Sequence, residues 1–356
     1  MALGFEDKRV DVKRVEQQRS FYCGPASSEM FLSHFNVPSI QAVAYEEIQK
    51  FNVEPNDWYS DPDGLAKYVS ASLADNIFQD IDDYVSGTFE QALNKLYYTI
   101  AFLKIPCITL VLEGGHWVVV DGIRFKQEPN KEPEIVGFYV RDPYPSSPDF
   151  SYVSLSEFSK SKFLPNKVGD KWKDKYVILS KQADQGLLGI KGKDIMPKAG
   201  GGAMDDPVEI ALQNLELQGF DKVAKVKGGG AAVLKPVEVE GLDGASSYTI
   251  VLLDATETPE FQDYIYVAID KNKALLETTT QRNALQIYND DEMKIHLEQL
   301  FPGKTIKIIK GCFWKPSFEL RSRLAVARRF NLDEKDMFLL PNGTVAESLT
   351  GFTKGG

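Results

Sequence analysis

Two apolar runs on either side of a glycine pair place the strongest constraint on how this chain folds. The run Ile105–Leu112 breaks at Gly114-Gly115 and resumes as Trp117–Val120. Short apolar runs that flank a glycine-containing turn are typical of a β-hairpin. The pattern therefore predicts two antiparallel strands, with His116 at the start of the second strand.

A third short strand is predicted at Gly137–Val140, and it is followed by Arg141-Asp142-Pro143. Proline has no backbone N–H to donate to a sheet, so the strand should stop near Pro143. Asp142 then lies at a strand end, where its carboxylate is a candidate partner for His116.

A cysteine directly before a small-residue helix start is the candidate nucleophile. Cys23 precedes Gly24-Pro25-Ala26, and the apolar periodicity predicts a helix over Cys23–Phe35. The pKa of a thiol at a helix N-terminus beside an imidazole can fall from about 8.5 to roughly 3.5–7.5. A thiol, a base and a carboxylate in the order Cys23, His116, Asp142 predict nucleophilic acyl transfer.

An amide side chain upstream of the cysteine could complete such a site. Gln17 is placed to join the Cys23 backbone N–H in an oxyanion hole, and Gln18 is its rival for that role. Loss of one such donor typically costs about 2.7–4 kcal/mol of transition-state stabilisation.

These residues together resemble the papain-like cysteine peptidases, most closely the bacterial family that removes double-glycine leaders from bacteriocin precursors, with its soluble relatives. The matching motifs are Gln-x5-Cys-Gly-Pro-Ala from Gln17 to Ala26, Gly-His-Trp-Val-Val-Val-x-Gly from Gly115 to Gly122, and a strand ending in Asp142-Pro143. The resemblance covers residues 10–180. It implies Cys23 as nucleophile, His116 as base and acid, Asp142 as orienter and Gln17 as oxyanion donor.

Two features depart from the better-known patterns. The spacing from Cys23 to His116 is well short of the roughly 130–150 residues of papain and cathepsins. Leader peptidases of the bacterial family are usually fused to a membrane transporter, yet no apolar run in the sequence approaches the roughly 20 residues that a membrane helix needs. Plant-type papain and leader removal during export are therefore poor guides to this chain.

Four residues near the predicted catalytic elements are candidates for substrate binding: Trp58, Tyr59, Gly115 and Trp117. Trp58 and Tyr59 lie in the polar loop Asn56–Leu65, and such loops often line a cleft. The alternative is that they pack the predicted helix Gly64–Ser72 against the body of the protein. Tyr22 and Tyr144 are weaker candidates for the same role.

No cofactor or metal is predicted. The three cysteines include no Cys-x-x-Cys pair, and Cys107 and Cys312 have the pattern of structural residues. His34 and His296 are interpreted as packing or surface residues. Gly200-Gly201-Gly202 and Gly228-Gly229-Gly230 lack the context of a phosphate loop and are interpreted as flexible segments. A flexible segment is also favoured over a self-cleavage site at Gly200-Gly201-Gly202 and at the terminal Gly355-Gly356.

Length, composition and charge limit the classes of partner. The chain has 356 residues, a hydrophobic fraction of 43% and a formal net charge of −10. An acidic balance argues against nucleic acid and against anionic membrane surfaces as partners. The resemblance to cysteine peptidases implies a peptide or protein substrate as the partner. An odd number of cysteines and the absence of a signal-peptide pattern predict a cytoplasmic location, with secretion after leader trimming as the alternative.

The predicted fold class is α+β in two domains. Residues 1–182 are predicted to form the papain-like cysteine peptidase domain that the resemblance implies, in which the helix bearing Cys23 packs on an antiparallel sheet bearing His116 and Asp142. Residues 183–205 form a flexible linker, and residues 206–356 form a small α+β accessory domain. The elements predicted in the accessory domain are an amphipathic helix over Asp206–Phe220, strands Tyr248–Leu253, Tyr264–Ile269 and Thr305–Ile309, a helix near Asp291–Phe301, and a hairpin around Pro341-Asn342-Gly343.

The accessory domain shows no catalytic constellation, so substrate positioning or partner docking is its expected role. The arginines of Glu319–Phe330 are predicted either to pair with acidic partners or to form a solvated face. The function predicted for the whole chain is a cysteine peptidase that acts through a thioester. A thiol acyltransferase, transpeptidase or amidase is one alternative, and a catalytically silent peptide-binding module is the other.

Overall fold

The computed structural model describes residues 4–74, 84–128, 133–180, 191–192, 206–217, 220, 232–233, 236–256, 263–281, 286–315, 317, 320 and 322–350. These residues form two compact units. The first unit contains the described residues as far as Gly192, except 146–148, and the second contains those from Asp206 onward. The glycine runs at 200–202, 228–230 and 355–356, and the predicted linker apart from Lys191-Gly192, lie outside the described residues. The predicted domain boundaries remain a prediction.

The first unit mixes strands and helices, as an α+β class requires. Its strands are β1 (Phe5–Arg9), β2 (Val85–Ser86), β3 (Cys107–Val111), β4 (His116–Lys126), β5 (Glu134–Arg141), β6 (Ser151–Ser154), β7 (Tyr176–Leu179) and β8 (Lys191–Gly192). Its helices are α1 (Cys23–His34), α2 (Gln41–Phe51), α3 (Pro62–Ser72), α4 (Phe89–Tyr97) and the single turn α5 (Leu155–Glu157). Two π-helical turns, Tyr98–Leu103 and Phe158–Lys162, continue α4 and α5.

Local sequence signals account for where two of these helices start. Thr88 and Gln91 form the predicted capping box at the start of α4, in which each side chain bonds the other residue's backbone. Asp61 caps α3 by accepting a bond from Gly64 N, and Pro62 occupies the first turn. Helix α2 was not predicted, because Ile40 and Asn52 at its ends provide no side-chain cap.

Strand β4 is the centre of the antiparallel sheet in the first unit. It pairs with β3 near its start and with β1 near its end, and β5 lies along its other side. β3 continues the sheet to β7 and β2, and β5 continues it to β6. β8 adds a short parallel pairing to β5 at Glu134. The predicted hairpin is therefore confirmed, and His116 is the first residue of its second strand.

Helix α1 packs on β3 and β4, and it also packs against α2 and α3. The predicted helix Cys23–Phe35 is thus confirmed to within one residue at its end. The buried core of the first unit includes several aromatic residues: Phe31, Trp58, Trp117, Phe138, Tyr152, Phe158, Phe163 and Trp172. Burial of such side chains stabilises the unit by roughly 1.5–3 kcal/mol each.

The second unit is likewise mixed. Its strands are β9 (Ala232–Val233), β10 (Val237–Gly241), β11 (Tyr248–Asp254), β12 (Tyr264–Asp270), β13 (Leu275–Gln281), β14 (Ile306–Trp314), β15 (Ala327–Leu332), β16 (Lys335–Leu339) and β17 (Val345–Ala346), and its helices are α6 (Pro207–Leu217) and α7 (Asp290–Leu300). β10 to β13 form an antiparallel meander, β14 to β17 form another, and β10 pairs in parallel with β14. Each element that the sequence predicted here is present.

The arginines of the second unit correct one expectation. Arg323 and Arg328 are only 7% and 5% exposed, so they do not belong to a solvated face. The Arg323 guanidinium lies over the Trp314 ring at 3.8 Å, and Arg328 pairs with Asp290. These two side chains are therefore engaged in cation–π and ionic contacts within the unit.

Candidate active site

His116 and Asp142 are in direct contact in the first unit. His116 begins β4 and Asp142 follows β5, and these strands are neighbours in the sheet. The distance from His116 Nε2 to Asp142 Oδ1 is 2.7 Å. An ionised carboxylate can only accept hydrogen bonds, so Nε2 carries the proton in this pair. The other ring nitrogen, Nδ1, is then the basic one.

His116 is fully buried, whereas the Asp142 side chain is 15% exposed. Among the residues that the structure describes, none forms a hydrogen bond with His116 Nδ1. In free enzymes the bond between nucleophile and base is often long and forms only with substrate. Nδ1 therefore has an unused lone pair, which a general base requires.

A short turn after β5 presents the Asp142 carboxylate. Tyr144 N donates to Asp142 Oδ1 at 2.8 Å, so the same oxygen accepts bonds from the imidazole and from the backbone. The Arg14 guanidinium binds this turn from outside, donating from Nε to the Asp142 carbonyl at 2.8 Å and from Nη2 to the Tyr144 carbonyl at 2.6 Å. The carboxylate is therefore held in place by the backbone around it.

The turn that precedes His116 is strained. Leu112, Glu113 and Gly114 all have positive φ angles, of 56°, 59° and 100°. A bulky residue such as Leu112 rarely adopts this region, and such strain often occurs at functional sites. A Cβ on Gly114 would lie 2.0 Å from Asn166 Oδ1, and Lys167 N donates to the Glu113 carbonyl at 2.9 Å. The segment around Asn166 thus supports the turn from which His116 emerges.

Cys23 is the first residue of α1, as the sequence predicted, and it is fully buried. The positive end of the helix dipole there favours a thiolate. A Cβ on the next residue, Gly24, would lie 2.6 Å from the Ser60 side chain and 3.4 Å from Trp117 Cδ1. Gly24 therefore lies against Ser60 and close to Trp117, the residue that follows His116 in β4.

Gln17 lies between the two halves of the site, but its amide is already engaged. Its backbone N–H donates to the Pro143 carbonyl at 2.8 Å. Its side-chain Nε2 donates to the carbonyls of Arg19 at 2.8 Å and Ser20 at 2.9 Å, which uses both amide hydrogens. The predicted oxyanion role would thus need the side chain to rotate. The rival Gln18 has an exposed side chain, and its backbone N–H donates to Gln41 Oε1.

The four predicted substrate-binding residues have different surroundings. Trp58 is 1% exposed and packs edge-on against Trp172, and Trp117 is fully buried with its Nε1 donating to the Ser60 carbonyl at 2.9 Å. These two tryptophans are packing residues in this structure, and their contact with substrate remains a prediction. Gly115 is buried in the turn before His116. Tyr59 is half-buried and can still meet a ligand.

Tyr59 belongs to an aromatic cluster that the sequence interpretation missed. Phe21 stacks on Tyr59 with ring centroids 5.0 Å apart, and Tyr22 and Tyr45 are also 5.0 Å apart. Proximity of Phe21 and Tyr22 to Cys23 was visible in the sequence, but Tyr45 comes from the unpredicted helix α2. Among the weaker candidates, Tyr22 is therefore part of this cluster, and Tyr144 lies in the turn that presents Asp142.

A buried carboxylate next to the site was also missed. Asp121 lies within β4 and is fully buried, and Arg141 Nε donates to its Oδ2 at 2.8 Å. Burial raises the pKa of Asp121, while Arg141 and Arg9 oppose that shift. A charged residue inside the apolar run after Trp117 was the signal that could have revealed it. The ion pair joins β4 to β5 one residue before Asp142.

The remaining cysteines and histidines have surroundings of their own. Burial raises the pKa of Cys107 to about 12, and burial also raises the pKa of Cys312. His34 contacts Phe35, and His296 Nε2 lies 2.8 Å from the Gly343 carbonyl. Within the described ranges, no group of three or more His, Cys, Asp or Glu side chains could hold a metal ion. In the same part of the chain, no helix has the length and apolar character that a membrane crossing requires.

Comparison with known proteins gives a family match for part of the chain. Residues 9–165 match the Peptidase_C39 like family, a region that includes Gln17, Cys23, His116 and Asp142. No curated protein and no solved structure matches the chain. The match covers most of the first unit but less than half of the chain, and it supports a relationship between this region and the papain-like, C39-type cysteine peptidases.

Proposed function

We propose that this protein is a cysteine peptidase with Cys23 as nucleophile, His116 as general base and acid, and Asp142 as orienter. The observation that carries the proposal is the 2.7 Å contact between His116 Nε2 and Asp142 Oδ1 at the strand end against which the Cys23 helix packs. The C39-type family match over the same residues supports it. A papain-like arrangement of α1 on the sheet is part of the proposal.

The reaction follows from the two nitrogens of His116. The Cys23 thiol proton moves to Nδ1, and the thiolate attacks the carbonyl carbon of the scissile peptide bond. The Cys23 backbone N–H stabilises the oxyanion of the tetrahedral intermediate, together with Gln17 if its amide rotates inward. Nδ1 then gives its proton to the departing amine as the C–N bond breaks. Water, deprotonated by His116, hydrolyses the resulting thioester and regenerates the thiol.

Alkylation of Cys23 tests the nucleophile directly. The rate of its reaction with iodoacetamide would be measured against pH, with each modified cysteine located by peptide mass spectrometry. A poised thiolate predicts a rate plateau that persists well below pH 8, whereas Cys107 and Cys312 should stay unmodified in the native protein. A rate that rises only near the ordinary thiol pKa, or no labelling of Cys23, would contradict the proposal.

Turnover is tested with a peptide mixture analysed by mass spectrometry. The parent should cleave a subset of peptides and Cys23→Ala should cleave none. Cys107→Ala, which removes an equally buried thiol, is the matched control and should cleave as the parent does. An added amine acceptor separates hydrolysis from acyl transfer, because a transferase would yield the conjugate instead of the free acid.

A second candidate function is a catalytically silent peptide-binding module. Two observations favour it, since Cys23 is fully buried and both amide hydrogens of Gln17 are engaged by backbone carbonyls. A module of this kind would bind peptides saturably and equally well in the parent and in Cys23→Ala, with no turnover by either. Cleavage that depends on Cys23 would exclude this candidate.

A further inference from the structure

Arg14 holds the segment that carries the proposed orienter, although it lies far away in sequence. Its Nε and Nη2 donate to the carbonyls of Asp142 and Tyr144, at 2.8 and 2.6 Å. The Arg14 side chain is 8% exposed, and its Nη1 lies 3.0 Å from Glu16 Oε1. A guanidinium offers its donors in a rigid planar fork, so one side chain can bridge two carbonyls in a fixed geometry that the ammonium of a lysine does not reproduce.

A further hydrogen bond from the same segment binds the residue between Asp142 and Tyr144. Gln17 N donates to the carbonyl of Pro143 at 2.8 Å, so the three successive carbonyls of residues 142–144 all accept bonds from residues 14–17. We call residues 14–17 the N-terminal clamp. The turn that carries Asp142 cannot shift relative to this clamp without losing three hydrogen bonds.

The N-terminal clamp also holds the turn that leads into Cys23. The Gln17 side chain donates to the carbonyls of Arg19 and Ser20, and Tyr22 N closes this turn by donating to the Arg19 carbonyl at 3.0 Å. Cys23 follows directly. One short segment therefore connects the backbone of the proposed nucleophile with that of the proposed orienter.

We propose that Arg14 is a positioning residue for the His116–Asp142 pair, a role that rests on the proposed function. It touches no reacting atom and acts through the Asp142 turn. Without the two hydrogen bonds from Arg14, the turn that carries Asp142 can move. The Asp142 carboxylate then no longer holds the proton on His116 Nε2. As a result, Nδ1 is no longer kept as the basic nitrogen that is presented to Cys23. Small displacements of this kind can lower a rate by about 100-fold.

Two variants and a matched control test this role. Arg14→Gln removes the guanidinium and its charge. Arg14→Lys keeps the positive charge but not the planar group that bridges the Asp142 and Tyr144 carbonyls. The control is Arg124→Gln, because Arg124 is an arginine of the same unit with a 5% exposed side chain, bound to Asp7 and Tyr139. Arg124 lies eight residues along β4 from His116, beyond the proposed site.

Two readouts separate positioning from stability. The first is the rate of Cys23 alkylation at pH 6, which should fall about 10- to 100-fold in Arg14→Gln, fall less in Arg14→Lys and stay unchanged in Arg124→Gln. The second is the Nε2–H proton resonance of His116 in protein with ¹⁵N-labelled histidine, assigned by its loss in His116→Gln. That resonance should weaken or disappear in Arg14→Gln and persist in Arg124→Gln.

The outcomes distinguish this inference from the proposed function. If Arg14→Gln keeps the parent's resonance and alkylation rate, or if Arg124→Gln loses both to the same extent, the positioning role is overturned. If the parent shows no alkylation at pH 6, the proposed function fails. The imidazole resonance still decides in that case whether Arg14 holds the pair, because it needs no catalysis.

Discussion

At the scale of single residues, Asp142 is the group on which the proton position of His116 depends. Its Oδ1 accepts from both the imidazole and Tyr144 N, so what the site needs at this position is an acceptor oxygen. An asparagine can supply that oxygen, as it does in the Cys-His-Asn triads of papain-like proteases. We therefore expect the geometry of the oxygen to matter more here than the carboxylate charge.

We accordingly expect Asp142→Asn and Asp142→Ala to differ. Asp142→Asn should retain kcat/KM on a cleaved peptide to within about tenfold, because its Oδ1 can take the same two bonds. Asp142→Ala should lower kcat/KM by about 10²–10⁴, the range typical of disrupted general acid–base catalysis. Equal losses in the two variants would show that the charge, and not the acceptor geometry, is what the site requires.

Cys107 gives a prediction about alkaline stability. Its thiol is fully buried and has a pKa of about 12 in the folded state, against an ordinary value of 9.0. Below pH 9 the thiol is neutral in both the folded and the unfolded state, so its titration does not reduce stability. Between pH 9 and 12 it ionises only in the unfolded state, and the folded state loses stability as the pH rises. Relative to Cys107→Ala, the parent's free energy of unfolding should fall by about 1.4 kcal/mol per pH unit across that interval.

The measurement is urea unfolding of both proteins at several values between pH 8 and 11. Titration of lysines and tyrosines affects both proteins alike and cancels in the difference. A difference that stays constant with pH would mean that the thiol titrates normally in the folded state.

At the scale of elements, the start of α1 is positioned by its close approach to Ser60, in the loop before α3. A Cβ on Gly24 would lie 2.6 Å from both Cβ and Oγ of Ser60, so the helix can approach this closely only with glycine at that position. Within the described residues, Ser60 Oγ is buried without a hydrogen-bond partner. Removal of the Ser60 side chain would therefore make room at Gly24 without the loss of a bond.

We expect Gly24→Ala to lower the free energy of unfolding by about 1–3 kcal/mol, as overpacking of a core typically does. It should also slow Cys23 alkylation, since the start of α1 must move. The double variant Gly24→Ala, Ser60→Gly should recover most of both losses. Thermal and urea unfolding of the parent, both single variants and the double variant form a complete cycle. Additive losses in the double variant would show that the two side chains do not compete for space.

The sequence was informative about elements with local signals and less so about the rest. The glycine break located the β3–β4 hairpin, and Thr88 with Gln91 located the start of α4. Helix α2 was missed because its ends lack side-chain caps. The partner of His116 was correctly predicted from the Asp142-Pro143 strand end, whereas Arg14 was missed because its partner lies 128 residues away and no local pattern marks such a contact.

At the scale of the whole molecule, the proposed chemistry lies entirely in the first unit. Cys23, His116 and Asp142 belong to it, and it has its own buried aromatic core. Its last described strand, β8, pairs with β5 and lies beyond the predicted domain end at residue 182. A shortened protein should therefore run to Asp194, so that β8 is kept.

The last prediction concerns a shortened protein of residues 1–194 and the separate roles of the two units in catalysis and substrate selection. Because the proposed triad and its supports lie in this segment, its Cys23 alkylation profile should match that of the full chain. If the second unit positions substrate or docks a partner, the shortened protein should lose selectivity among peptides and show a lower kcat/KM on those that the full chain prefers. Near-UV circular dichroism and a cooperative thermal transition would establish that the segment is folded. Full activity and unchanged substrate choice in a folded segment would contradict a role for the second unit in substrate selection.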